Sequence, residues 1–428
     1  MSEWEKVKIG EFLTESKVLA EESDAAHRIT VRLNCKGVEK RGLKAEKEGA
    51  TKYYTRYAGQ FIYGKQNIHK GAFGIIPPEL DGFTSSADLP AFDIDESKCV
   101  PEWIPLCLKV DERYKTLQKE VKGVGSQRLA VNVFLNVEIP LPDVSIQRNI
   151  LAKVGKKIAS IALLDDETEK QKSYAKQLRQ NILQEAIEGK LTADWRKQHP
   201  VQKGNPDYDA EALFEKIRKD QKKNFIQNYA KKNDWCISEL GNFVKLKIGG
   251  TPSRNNPIYW KEEIPWVSSG EVANCEIYKT KEFISSLGSE HSSAKLLPKG
   301  TVLIAMIGQG KTRGQAAILR IEAATNQNVC AILLPNQLIK SEYMYLYLCS
   351  RYETSRSVAT GGNQAALSGT KISQFIFPLP PLAEQEEIVA RVEQHLQTIA
   401  QLETQIATRE TTTKQLMQSI LKDAFEEE

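Results

Sequence analysis

The sequence predicts an α+β chain with two strand-rich domains and two long helices packed as an antiparallel coiled coil. A tandem duplication makes the arrangement pseudo-twofold. Three observations carry this. Shifting residues 139–190 by 238 positions lays them on residues 377–428 without a gap, with 18 of 52 positions identical. A second echo sets Trp4, Gly10 and Phe12 on Trp235, Gly241 and Phe243, at an offset of 231. Between these echoes the two halves barely match. An internal repeat of this kind governs the reading of everything else.

The elements follow in order. Residues 1–142 form the first strand-rich domain. Runs at Arg28–Leu33, Lys52–Tyr57 and Gly59–Tyr63 have strand character, and Gly71, Gly74, Pro77-Pro78 and Asp81-Gly82 punctuate them. A helix is expected over Pro101–Lys119, with Trp103, Leu106, Val110 and Tyr114 on one face. Residues 143–190 are the first long helix. Ile146, Ile150, Val154, Ile158, Ile161 and Leu164 recur every three or four residues, and the seam resumes at Leu178, Ile182 and Ala186. No proline interrupts it, so about 45 helical residues would run roughly 65 Å. Residues 191–234 are a linker with a lysine-rich helix over Ala210–Lys231. Residues 235–376 are the second strand-rich domain, clearest at Thr301–Ala305 and Ala316–Ile321. Residues 377–428 repeat the helix, with Ile388, Val392, Leu396, Ile399, Leu402, Leu416, Ile420 and Ala424 on its seam.

Bulk properties narrow the function. The chain has 428 residues, 27% of them charged, and a net charge of +4, which permits an acidic partner without demanding one. Seven scattered cysteines and five scattered histidines form no disulfide frame and no metal-ligand spacing. The start carries no signal-peptide core and no apolar run reaches membrane-spanning length, so a soluble, cytoplasmic protein is expected. Catalytic motifs are absent. Residues 305–312 (Ala305 to Gly310-Lys311-Thr312) imitate a phosphate-binding loop, but a β-like run follows where the chemistry needs a helix N-terminus. No Asp/Asn-Pro-Pro-Tyr/Phe is present to grip a flipped base. Glu96-Ser97-Lys98 lacks the strand pair of a nuclease centre.

The whole plan resembles the specificity (S) subunit of Type I restriction–modification systems. Phe377-Pro-Leu-Pro-Pro-Leu-Ala-Glu-Gln385 resembles the start of that family's long helices. Gly249-Gly-Thr-Pro-Ser-Arg254, Tyr259-Trp260, Ile264-Pro-Trp-Val-Ser-Ser-Gly270, Gly300-Thr-Val-Leu-Ile304, Gly310-Lys-Thr-Arg-Gly314 and Thr325-Asn-Gln-Asn328 resemble its target-recognition domains. The first half is fainter, at residues 59–65 and Ser85–Asp88. The resemblance implies a non-catalytic subunit that reads a bipartite, gapped, double-stranded DNA target with its two domains. It also implies docking of two methyltransferase subunits and of restriction/translocase subunits, for adenine-N6 methylation or cleavage. S-adenosylmethionine, ATP and Mg would belong to those partners and not to this chain. The rival readings are a specificity subunit of another multi-subunit methyltransferase–nuclease class, and a coiled-coil scaffold that reads no DNA.

Base edges are read by bidentate Arg or Lys on guanine and by Asn or Gln on adenine. Lys311, Thr312, Arg313 and Gln315 offer these types in a glycine-bounded turn, and Asn326, Gln327 and Asn328 in another, where a buried amide ladder is the structural rival. Lys65, Gln66 and Asn67, followed by His69-Lys70, are the best match in the first domain. Thr251, Ser253 and Arg254 are candidate phosphate contacts. Trp260 and Trp266 are core residues by expectation. For helix–helix or partner contacts the candidates are Gln147, Ile150, Val154, Ile161, Leu178 and Ile182, with Gln385, Ile388, Val392, Ile399, Leu416 and Ile420. Gln147 and Gln385 are equally readable as hydrogen bonders of the helix start.

Overall fold

A computed structural model describes residues 4–21, 24–42, 52–120, 128–221, 229–308, 310–335, 337–357 and 367–426. The chain divides into two compact units, Met1–Lys170 with Ile406–Glu428, and Gln171–Gln405.

In the first unit, four antiparallel strands lie in the order Leu13–Ser16, Ala91–Ile94, Phe61–Tyr63, Phe73–Ile75. Side chains alternate across a strand, and Phe61-Ile62-Tyr63 uses both faces. Phe61 and Tyr63 join the main core, Phe61 stacking on Phe134 at 5.4 Å and Tyr63 packing tilted against it at 4.6 Å, while Ile62 joins Ile29, Ile76, Leu80 and Ala91 on the other side. The expected helix over Pro101–Lys119 is instead two short helices, Trp103–Lys109 and Arg113–Thr116. Asp111 and Glu112 separate them at φ 50° and 51°. This left-handed break redirects the chain, and Val110 and Leu117 are both buried despite it. Lys6–Lys8 pairs with Glu138–Pro140 and returns the chain to the first long helix, Val144–Ile187. Within this unit Ile150 and Val154, near that helix's start, share a core with Leu421, Ala424 and Phe425, near the end of the second long helix, Leu382–Glu426. The two helices therefore run antiparallel. Phe425 lies 5.6 Å from Trp4 and 5.2 Å from Trp103, ring centre to ring centre. Phe425→Ala is expected to cost about 3–5 kcal/mol, read from the urea midpoint. A loss below about 1 kcal/mol would mean that the three rings do not form a packed cluster.

The second unit holds a five-stranded sheet in the order Lys245–Ile248, Val329–Leu333, Val302–Ala305, Ala316–Leu319, Cys275–Ile277. Its last pair is parallel and the others antiparallel. Glu282–Ile284, Ile264–Val267 and Ala324–Thr325 make a second sheet, and Ala230–Lys232, Trp235–Glu239 and Ile376–Leu379 a third. The long helices are again antiparallel here. Arg179 pairs with Glu403 at 3.2 Å. Arg391, near the start of the second helix, reaches Leu191 O at 2.8 Å and Asp194 Oδ1 at 2.6 Å, just past the end of the first. Of the expected helix over Ala210–Lys231, Ala210–Asp220 is helical, residues 222–228 lie outside the described residues, and Ala230–Lys232 is a strand. Asn233 and Asp234, at φ 58° and 61°, close a tight hairpin that fits the twist of the flanking strands.

The helix seams are buried at Ile150, Val154, Ile161, Ile182, Ile388, Val392 and Ile399, and Ile420 is half-buried. Leu164, Leu178, Leu402 and Leu416 are exposed instead of packed. An untwisted α-helix drifts against a seven-residue repeat, so a sequence seam this long does not stay on one face. Leu163 and Tyr174 add further exposed apolar surface to the first helix.

The two units repeat each other further than their sequences do. Lys6 lies opposite Pro140, and Ile237 opposite Pro378, which reproduces the sequence offsets of 231 and 238. Ile9 N donates to Val137 O, and Leu240 N to Phe375 O. The Pro140 carbonyl accepts from Trp103 Nε1 at 2.9 Å, and the Pro378 carbonyl from Tyr343 Oη at 2.8 Å. Phe61–Tyr63 of the first sheet stands where Val302–Ala305 stands in the second, between equivalent neighbours.

Candidate nucleic-acid interface

In the five-stranded sheet, Lys245–Ile248 and Val302–Ala305 end on the same edge from which Val329–Leu333 and Ala316–Leu319 begin. Antiparallel pairing therefore gathers three connections there: 249–254, 306–315 and 326–328. These are the three segments singled out from the sequence. Backbone bonds bind them together. Gly250 N donates to Thr325 O at 2.8 Å, and Met306 N to Asn328 O at 2.9 Å. Thr251 Oγ1 donates to Gln327 Oε1.

Within the cluster the candidates differ in what they can offer. Lys311 is exposed, and Thr312, Arg313 and Gln315 are half-buried. Gly314, at φ 84°, allows the turn and donates to Ala305 O, while Gln315 N donates to Thr312 O. The short helix Tyr352–Ser357 braces this loop. Tyr352 Oη donates to Lys311 O at 2.7 Å, Arg356 Nη1 to Gly310 O at 2.6 Å, and Arg313 Nη2 to Arg356 O at 3.3 Å. Braced backbone carbonyls fix where the side chains of the loop emerge. The loop leads into a strand and not a helix, so no phosphate-binding helix N-terminus exists there. Asn326 is buried, and its Oδ1 accepts from Asn328 N at 3.0 Å; Gln327 is exposed and Asn328 half-buried. Asn326 thus shapes the turn that holds Gln327 outward. Ser253 is exposed. Arg254 forms a two-pronged ion pair with Glu282 and lies 3.6 Å from the centre of the Trp260 ring. That pairing holds the Glu282 carboxyl below its usual range and satisfies much of the charge that Arg254 would bring to a phosphate. Trp266 is buried and donates to Gly250 O at 3.0 Å.

The matching edge of the first unit carries residues 64–72. Lys65 N donates to Asp88 O and Leu129 N to Lys65 O; in the second unit Leu367 N donates to Met306 O in the same way. Gly64 N donates to Ala72 O as Ala305 N does to Gln315 O. Gly71, at φ 79°, stands at the place of Gly314. By this register Lys65 corresponds to Met306, and Lys70 to Arg313. Gln66 is exposed, and Lys65 and Asn67 are half-buried. The cation at the Arg313 place is therefore Lys70, which sequence reading set only as a neighbour of the main candidates. The paired left-handed glycines are the signal that finds it.

Gln147 and Gln385 are fully buried. Gln147 Oε1 accepts from Val100 N at 2.8 Å, and its Nε2 donates to Lys98 O and Pro142 O at 2.9 and 2.7 Å. Gln385 accepts from Lys340 N at 2.9 Å and donates to Pro380 O at 3.0 Å. Both are helix-start hydrogen bonders, tying the first long helix to the turn before Trp103–Lys109 and the second to Lys340, the residue before the helix Ser341–Ser350. Glu384, beside Gln385, takes Thr192 Oγ1, Trp235 Nε1 and the Arg196 guanidinium, and burial pushes its pKa up. Among the described residues no group of His, Cys, Asp and Glu is arranged to hold a metal, and no helix is long and apolar enough to cross a membrane.

The family model for the Type I restriction modification DNA specificity domain matches residues 232–409. The chain is 30% identical over 154 residues to the specificity subunit of the Escherichia coli Type I restriction enzyme EcoR124I/EcoR124II, covering 35% of this chain and 38% of that protein. It is 27% identical over 160 residues to the MjaIX specificity subunit of Methanocaldococcus jannaschii, with 36% of each covered. Against the Escherichia coli EcoKI specificity subunit it is 26% identical over 300 residues, 68% of this chain and 57% of that one. These matches span less than two thirds of the relatives' length. A solved chain from a type I R-M system, studied for complex assembly and conformational transition, superposes with a TM-score of 0.64 at 17% identity, covering 99% of this chain and 98% of that one. Residues 232–409 match the DNA specificity domain of the Type I restriction–modification systems, and over the stretches given the chain is similar to their specificity subunits.

Proposed function

We infer that this chain is the non-catalytic DNA-reading subunit of a Type I restriction–modification complex. The observation that carries the reading is the repeated sheet edge. Each unit presents the same backbone platform with different side chains on it, Lys65 to Lys70 on one and Lys311 to Gln315 on the other. One platform with two unlike surfaces fits a target of two unlike halves. Two methyltransferase subunits would dock on the repeated long helices, where Leu163, Leu164, Tyr174 and Leu178 on the first and Leu402 and Leu416 on the second offer exposed apolar surface. S-adenosylmethionine would be bound by those partners, and ATP and Mg by restriction subunits when present.

Base-resolved modification mapping tests this in cells expressing the chain with its candidate methyltransferase subunit, against cells lacking the chain. Methylated adenine at one split motif with a fixed gap is expected. A complex that forms but gives no chain-dependent methylation would favour the scaffold reading. Arg313→Ala should relax recognition at one base of one half-site; the same motif with uniformly weaker binding would instead make Arg313 a phosphate contact. Lengthening both long helices by matched insertions should change the gap while leaving the half-site bases unchanged. Altered bases at an unchanged gap would remove the helices' role in spacing.

A further inference from the structure

The first unit holds a cleft of about 400 Å³ lined by Leu33, Asn34, His69, Lys70, Tyr114, Lys115 and Gln118. Two features build it. The hairpin tip at Asn34 and Cys35, both left-handed at φ 57° and 58°, is tied to the platform loop by Asn34 N to Lys70 O at 2.8 Å and Cys35 N to Gly71 O at 2.9 Å. Asp111 and Glu112 break the neighbouring helix, and Arg113–Thr116 forms the other wall. In the second unit the corresponding short helix lies directly on its loop, through Tyr352 and Arg356.

The lining is rich in hydrogen-bond donors. Lys70 is exposed and makes no ion pair among the described residues. Lys115 is held by Glu112, the carboxylate nearest to it. His69 Nδ1 is buried without a hydrogen-bond partner among the described residues. Burial and the Lys70 charge lower the pKa of His69, which favours the neutral ring. Asn34 and Gln118 add exposed amides. A lysine delivers a point charge with three rotatable donors, where arginine delivers a planar fork suited to a base edge. We propose that this cleft holds a backbone phosphate of the DNA at the first half-site, with Lys70 as its principal cation and Asn34 and Gln118 as supporting donors. The proposal rests on the DNA-reading function inferred above.

The test measures the affinity of the full chain for a mixed-sequence duplex across a range of NaCl concentrations. The bound fraction is sequenced in parallel. Lys70→Ala is expected to weaken binding uniformly and to lower the slope of log affinity against log salt by about one, with the selected sequences unchanged. Lys70→Arg should restore the slope. An unchanged thermal midpoint establishes that both variants are folded. Three outcomes overturn the proposal: no change in slope, a changed base preference at an unchanged slope, or failure of Lys70→Arg to restore binding. If the parent chain shows no salt-dependent DNA binding at all, the DNA-reading function itself falls, which the parent control alone reveals.

Discussion

Replacing Gly249 with alanine should unfold the candidate reading surface of the second unit and lower stability by about 3 kcal/mol. A methyl group there would sit 2.1 Å from Thr325 O, 2.3 Å from Thr325 Oγ1 and 2.5 Å from Asn326 O. Two of these three atoms are backbone, so no rotamer change makes room. The chain after Ile248 would have to leave the chain at 325–326. That parting breaks the Gly250 N to Thr325 O bond and the Thr251 to Gln327 contact. Trp266, which donates to Gly250 O, would lose its acceptor. The affected segments are two of the three that form the sheet edge, so on the proposed function DNA selectivity in one half-site should fail together with stability. Gly310→Ala is the control, because a methyl group there meets nothing within 4 Å. Denaturant midpoints and motif mapping for both variants check this. A Gly249→Ala protein as stable as its parent would mean that the two loops do not meet as described.

The parts of the fold that sequence reveals are those where one residue type alone does the work. Gln147 and Gln385 recur because a buried amide must satisfy a donor and an acceptor at once, and no apolar residue substitutes for it. The strand cores were not legible as a repeat because apolar residues of suitable volume interchange. Phe61 stands for Val302, Ile62 for Leu303 and Gly74 for Ala317 in equivalent pairings. Trp103 and Tyr343 give the same hydrogen bond from different side chains, so even a conserved interaction leaves no identity. The left-handed glycines do survive, as Gly59 with Gly300 and Gly71 with Gly314. Their offsets of 241 and 243 differ from the 238 of the helices, so a gapless comparison passes over them. The candidate site was legible in the second unit, where loop chemistry and resemblance coincide. In the first unit the sequence put Lys65 ahead of Lys70, because composition alone does not say which cation stands beside the turn glycine. The break at Asp111–Glu112 was hidden for another reason: helical periodicity continues across it.

Gln147→Ala and Gln385→Ala form the matched pair that tests the duplicated frame. Removing Gln147 strips partners from Val100 N, Lys98 O and Pro142 O at a buried site, for a cost of about 3–5 kcal/mol in total. Removing Gln385 strips Lys340 N and Pro380 O, and about 2–4 kcal/mol is expected. The first variant should lose amide-exchange protection at Val100 and leave Lys340 protected; the second should do the reverse. This reciprocity follows because each glutamine bonds only within its own unit. A partner-docking role would give another pattern: weaker assembly with the methyltransferase subunit, at unchanged stability and exchange. The two roles act on different measurements, so one pair of variants separates them. A glutamine that anchors the helix start also sets the direction in which the helix leaves its strand-rich block. On the proposed function, loss of either should therefore reduce methylation at the half-site assigned to the same unit, more than at the other.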